Sequence, residues 1–170
     1  MTTRTLHLLR HAKSSWEDET LTDHERPLSP RGIRDATRIA KHLGTLHAPP
    51  DTVLLSSAVR TRQTLDLVEP SLGGCSVQVE EGLYGASADA LLERLRGIPE
   101  SARSALVIGH NPGLQDLVLL LAAPGDLRAE VAVKFPTGAL ATLDLGDRTW
   151  SSVSQGGAEL VGYTTPKRLS

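Results

Sequence analysis

Short apolar runs alternating with longer stretches of helical periodicity restrict this chain to a narrow set of folds. Thr5 to Leu9, Thr52 to Leu55 and Ala105 to Ile108 are too short for helices and apolar almost throughout, as strands buried on both faces are. Ser76 to Glu80 alternates well enough to be a further strand. Between them lie helical patterns. Ser29-Pro30 supplies an N-cap and an N1 proline to a helix carrying Ile33, Ala36, Ala40 and Leu43, and a second helix bears Leu65 and Val68. A Ser87-capped helix presents Leu91, Leu92 and Leu95; another, with Asn111 as N-cap and Pro112 at N1, presents Leu114, Leu117, Val118 and Leu121. This alternation predicts a three-layer α/β/α sandwich with a largely parallel central sheet, in one domain spanning residues 1–170. Near the carboxyl end, Ala139 to Leu145 and Thr149 to Val153 alternate around Gly146-Asp147, a hairpin signal.

Sheets of this kind bind ligands beyond the carboxyl ends of their strands. Arg10 and His11 follow the first predicted strand, Arg60 the second, Glu81 the third and His110 the fourth. A guanidinium offers a planar fork of donors suited to phosphate oxygens, and a neutral imidazole offers a nucleophilic nitrogen near physiological pH. Two arginines and two histidines at one rim make a cationic pocket sized for a phosphoryl group. Glu81 at its edge is either an acid for the leaving group or a solvated loop residue. His7 and His11 have the spacing of two metal ligands on a helix, but on a strand that offset builds no such pocket, so His7 reads as a satisfied sheet-face histidine.

Lys13 to Leu28 reads as a long polar loop with Trp16 as its one large apolar anchor and Glu17, Asp18, Glu19, Asp23 and Glu25 around it. Arg26 either reaches back to bind an anion at the Arg10 end or pairs with one of those acids. Of Arg60 and Arg62, one is expected to be an ordinary helix-surface residue. Arg31, Arg34, Arg38 and Lys41 read as a solvated helix face.

Composition excludes several classes. The 18 lysines and arginines against 20 aspartates and glutamates leave no surplus for non-specific nucleic-acid binding. The single Cys75 reads as a reduced intracellular thiol, and neither a signal peptide nor a membrane-spanning run is evident, so a cytoplasmic protein without membrane contact is expected. There is no Gly-x-x-x-x-Gly-Lys, no Gly-x-Gly-x-x-Gly and no clustered set of acidic ligands, so no cofactor or metal is expected.

Leu9-Arg10-His11-Ala12, Ser56 to Thr64 and Gly109-His110-Asn111-Pro112 resemble the three signatures of the histidine phosphatase superfamily, with its phosphoglycerate mutase-like fold. Arg26-Pro27-Leu28 with Arg31-Gly32, and the short length, are most similar to the SixA-type phosphohistidine phosphatases. The resemblance implies that His11 is phosphorylated during turnover and that Arg10, Arg60 and His110 bind the phosphoryl oxygens. It departs from the pattern at Ala12, where the family usually has glycine, and at Lys13 and Glu17, where mutases carry Glu and Asn. Glu81-Gly82-Leu83-Tyr84-Gly85 resembles the mutase stretch that supplies the acid, a match SixA lacks. The implied partner is a phosphorylated protein; the alternatives are a small phosphorylated metabolite, or a silent phosphate-binding regulator. Oligomeric state is not legible.

Overall fold

Each of the four strands predicted for the parallel part of the sheet is present. A computed structural model of the chain describes residues 3–169. In chain order the elements are β1 (Arg4–Arg10), α1 (Pro30–Leu43), β2 (Thr52–Ser56), α2 (Val59–Val68), β3 (Ser76–Glu80), α3 (Ala88–Arg96), β4 (Ser104–Gly109), α4 (Gly113–Leu121), α5 (Asp126–Val133), β5 (Leu140–Gly146) and β6 (Glu159–Thr164). The strands form one six-stranded sheet in the order β3-β2-β4-β1-β5-β6. The first four run parallel, and β5 and β6 are antiparallel additions at one side.

Burial on both faces explains the unbroken apolar runs. Leu6, Leu8, Leu54, Ala105 and Val107 pack on one side with α3, α4 and Val131 of α5, and Leu9, Val53, Leu55, Leu106 and Ile108 pack on the other with α1 and α2. His7 is satisfied within the sheet. Its Nε2 donates to the carbonyl of Ala48 at 2.8 Å, which leaves Nδ1 to accept from the Thr142 hydroxyl at 2.9 Å.

Three local expectations are corrected. Thr149 to Val153 is not a strand. Trp150–Ser152 forms a 3-10 turn that buries Trp150 and Val153, three residues apart, and Trp150 donates its indole N–H to the Ala102 carbonyl at 2.7 Å. The strand that pairs with β5 is β6, reached after a longer excursion, although Gly146 does turn the chain at a positive φ of 63°. Ile33 is exposed, and Ile39 takes its place on the inner face of α1, where Asp35 is buried between Arg31 and Arg38. Helix α4 begins at Gly113, one residue later than expected, with Pro112 in the N-cap position; Asn111 still contributes, its Oδ1 accepting from the Gln115 N–H at 3.3 Å.

The loop after β1 is closed at its base. Ser14 and Leu28 form an antiparallel bridge, Ser15 N donates to Pro27 O at 2.8 Å, and Ser29 N donates to Lys13 O at 2.9 Å. The start of α1 lies directly against this base, since a Cβ on Gly32 would lie 2.1 Å from the Lys13 carbonyl oxygen. Glycine is required there by close approach, not by backbone conformation.

Candidate active site

Parallel pairing in register brings the ends of three strands to one level. Arg10 lies opposite Gly109, and Leu9 and Leu55 both lie opposite Ile108. The residues that follow β1 and β4 are therefore neighbours, and the imidazoles of His11 and His110 stand with centroids 5.3 Å apart. The first turn of α2, directly after β2, adds Arg60. Arg10, His11, Arg60 and His110 thus form one cluster, three of them with less than a tenth of their surface exposed.

The hydrogen bonds fix where the protons sit. A carbonyl only accepts, so His11 Nδ1 carries its proton and donates to Ala12 O at 2.7 Å. Nε2 is then an unprotonated acceptor, facing Arg60 Nε at 3.4 Å. A guanidinium only donates, so His110 Nδ1, 3.4 Å from Arg60 Nη2, is also unprotonated, and His110 Nε2 donates to the Ser56 hydroxyl at 2.7 Å. Arg10 is held by Nη1 on the Phe135 carbonyl at 3.1 Å, while its buried Nε has no partner among the described residues. An orphaned buried donor beside a second guanidinium is a cost that an anion would relieve.

Burial, opposed by the Ala12 hydrogen bond and reinforced by Arg60, His110 and Arg10, holds the His11 imidazole down to about 3. Burial first, and then Arg60, hold His110 down to about 4. Both rings are therefore neutral well below the ordinary histidine value of about 6.5. As pH falls below that value, the unfolded chain takes up these protons before the folded one does. Stability present above about pH 6.5 should accordingly be lost progressively toward pH 4 and below. Imidazole NMR titration of the free protein should find His11 and His110 neutral at pH 5.5; protonation of either ring near pH 6.5 would contradict this electrostatic picture.

Two predicted site residues are not brought into the cluster. Glu81 opens a 3-10 turn after β3 and is exposed; its carbonyl accepts from Tyr84 N at 3.0 Å, and its side chain makes no hydrogen bond or ion pair among the described residues. The strand order is the reason: β2 and β4 separate β3 from β1, about 14 Å at normal strand spacing. Arg26 is buried, but its donors are taken by Ser15 O at 3.0 Å, Asp23 Oδ1 at 2.9 Å and Ser14 Oγ at 2.5 Å. It pairs with a loop acid and reaches the cluster only through Asp23. Trp16 is no anchor: it is 70% exposed, with the Arg26 guanidinium 3.1 Å from its ring centroid. Arg62, the surface member of its pair, is exposed and donates to Ser57 O at 3.0 Å.

Asp23 is the acid that the loop does deliver. Its Oδ2 accepts from Arg60 Nη2 at 3.0 Å and from the Tyr84 hydroxyl at 2.5 Å, and its carbonyl accepts from Arg60 Nη1 at 2.7 Å. Tyr84, and then Arg60 and Arg26, hold this carboxyl at about 2 against the opposing effect of burial. Tyr84 also stands edge-on to His110, at 5.4 Å, and to His24, at 4.9 Å. Nothing in the acid-rich loop distinguished Asp23 except its place between Thr22 and Glu25, whose capping box shapes a 3-10 turn.

The chain is similar to known proteins in sequence and in fold. Residues 6–91 match the model of the histidine phosphatase superfamily (branch 1). An uncharacterized protein of Mycobacterium tuberculosis is 36% identical over 163 residues, covering 94% of this chain and all of that protein. Among solved structures, the SixA protein of Nakamurella multipartitia, named for phosphohistidine phosphatase activity, is 33% identical and superposes with a TM-score of 0.84 over 98% of each chain. The protein histidine phosphatase SixA in complex with tungstate is 25% identical, with a TM-score of 0.79 over 98% of this chain and 99% of that one.

Proposed function

The chain belongs to the histidine phosphatase superfamily, and on that premise we propose that it dephosphorylates protein phosphohistidine through a phosphohistidine intermediate of its own. In the first step His11 Nε2 attacks phosphorus in line, so that the N–P bond to His11 forms as the bond to the leaving group breaks. Water then attacks the phosphorylated His11 and releases inorganic phosphate. Arg10 and Arg60 oppose the charge on the transferring oxygens, and His110 accompanies them by taking up a proton on Nδ1 as the anion arrives. The two guanidinium groups supply the charge that a metal would otherwise bring, so no metal is required in this reading.

One observation carries the choice of substrate. Asp23, the carboxyl that touches the cluster, is held at about 2 and has no proton to give near neutral pH. An alkoxide leaving group needs a proton badly. An imidazole leaving group, with a conjugate-acid value of about 6.5, needs it far less. The similarity to structures named as SixA phosphohistidine phosphatases supports the same substrate class.

The test is to measure kcat/KM, with a strong chelator present throughout, on a phosphohistidine peptide, para-nitrophenyl phosphate and an alkyl phosphate ester. The peptide is expected to be the best substrate and the alkyl ester the poorest. Glu81→Gln should change none of the three, and Asp23→Asn should shift all three alike. A selective loss on the alkyl ester in either variant would identify a working acid and favour a phosphatase of small esters. No turnover of any substrate would favour the silent regulator.

A further inference from the structure

Resting on the phosphohistidine reading, we infer that the groove between α1, the end of α5 and the carboxyl-terminal turn after β6 docks an acidic segment of the substrate protein beside the active site. The groove encloses about 570 Å³, within the range of roughly 300–1,000 Å³ typical of ligand sites. Arg31, Arg38, Lys134, Lys167 and Arg168 line it against only Asp35 and Glu130, an excess of positive charge in a chain whose net charge is −2. The arginines are partly committed. Arg31 and Arg38 flank Asp35 at 3.5 and 3.2 Å, and Arg168 pairs with Glu130 at 2.9 Å. Lys134 and Lys167 have no carboxylate partner among the described residues.

The charges are spread over three separate elements, α1, the end of α5 and the turn after β6, and the arginines among them are paired with Asp35 and Glu130, which suits an extended partner better than one small anion. Tyr163 and Pro136 line the groove as well, and Val133 at its edge is 86% exposed, an apolar surface with no function in the fold. Basic side chains around an apolar strip suit an extended acidic polypeptide that also offers an apolar side chain.

The groove is joined to the site by one short segment. Phe135 O accepts from Arg10 Nη1 and from Asn111 Nδ2, and Gly138 N donates to the carbonyls of Arg10 and His11. Pro136 and Thr137, between those anchors, line the groove. A polypeptide lying in it would therefore pass within a few residues of His11.

Two phosphohistidine peptides test this, one flanked by aspartates and glutamates and one by glutamines, each compared between the wild-type protein and a Lys134→Glu/Lys167→Glu variant at low salt. Wild type is expected to prefer the acidic peptide by about tenfold in kcat/KM, a preference that salt weakens and the variant abolishes. Turnover of para-nitrophenyl phosphate should be equal in both proteins. An unchanged preference in the variant, or an equal loss on para-nitrophenyl phosphate, overturns the inference. Fluorescence anisotropy with the unphosphorylated acidic peptide separates this failure from failure of the substrate reading. Binding that the variant loses supports the groove even if neither phosphopeptide is hydrolysed. No binding, or tighter binding of a single-stranded RNA of equal charge, overturns it.

Discussion

His11→Ala is expected to abolish turnover of every substrate and to leave no acid-labile phosphoryl group on the protein. The reason lies in one ring with two unlike nitrogens. Nδ1 is tied as a donor to the Ala12 carbonyl, which fixes the tautomer and the ring plane and leaves the Nε2 lone pair toward the Arg60 guanidinium. Burial keeps that nitrogen unprotonated down to about pH 3, so essentially all of the protein carries the neutral imidazole that the proposed attack needs at neutral pH. Alanine removes the nitrogen that the proposed reaction uses to form the N–P bond, while Arg10, Arg60 and His110 remain as the proposed phosphate ligands. The variant should therefore still bind inorganic phosphate without turning anything over. The fold should survive, because the ring packs in a polar pocket where water can replace it, outside the apolar clusters on either face of the sheet. A short incubation with radiolabelled phosphohistidine peptide, quenched in base, is the measurement. Label on His11→Ala would mean that another residue is the nucleophile, and His110 would be the first to examine.

Legibility in the sequence followed how each feature is encoded. Strands β1, β2 and β4 were readable because burial on both faces demands unbroken apolar runs, and α3 and α4 because their buried leucines repeat at helical spacing. Helix α5 was missed because Val131 is its one buried residue and leaves no stripe to detect. Arg10, His11, Arg60 and His110 are legible because each lies at the end of a strand or within a few residues after it. Glu81 satisfies the same rule, which says which residues reach the rim but not the order of strands along it; β3 at the edge is a tertiary fact. The stretch Glu81 to Gly85 does touch the site, but through Tyr84, whose hydroxyl reaches Asp23. Asp23 itself depends on the folded loop, which turns one of five similar acids inward by its contacts with Arg26, Arg60 and Tyr84.

Arg60→Ala should lower kcat/KM by two orders of magnitude or more, and Arg62→Ala only slightly. Arg60 approaches both imidazoles and holds Asp23 by its side chain and backbone, so one guanidinium organises the nucleophile, its partner histidine and the loop. Loss of a well-placed donor to a developing oxyanion typically costs about 3 kcal/mol of barrier, which is roughly a hundredfold in rate. Its positive charge also helps to hold His11 and His110 neutral, so both rings should titrate at higher pH in the variant. Lysine at position 60 should recover little, because a single ammonium cannot reproduce the planar fork that spans Asp23 and the two rings. Folding should be affected little, since the carboxylate of Asp23 is half exposed and can be solvated once its partner is gone. Arg62 lies on the exposed side of the same turn and meets only the Ser57 carbonyl. Steady-state kinetics on para-nitrophenyl phosphate with the three variants, alongside imidazole NMR, test all of this at once. Comparable losses at positions 60 and 62, or unshifted imidazole titration in Arg60→Ala, would show that Arg60 is not the group that binds phosphate and tunes the two rings.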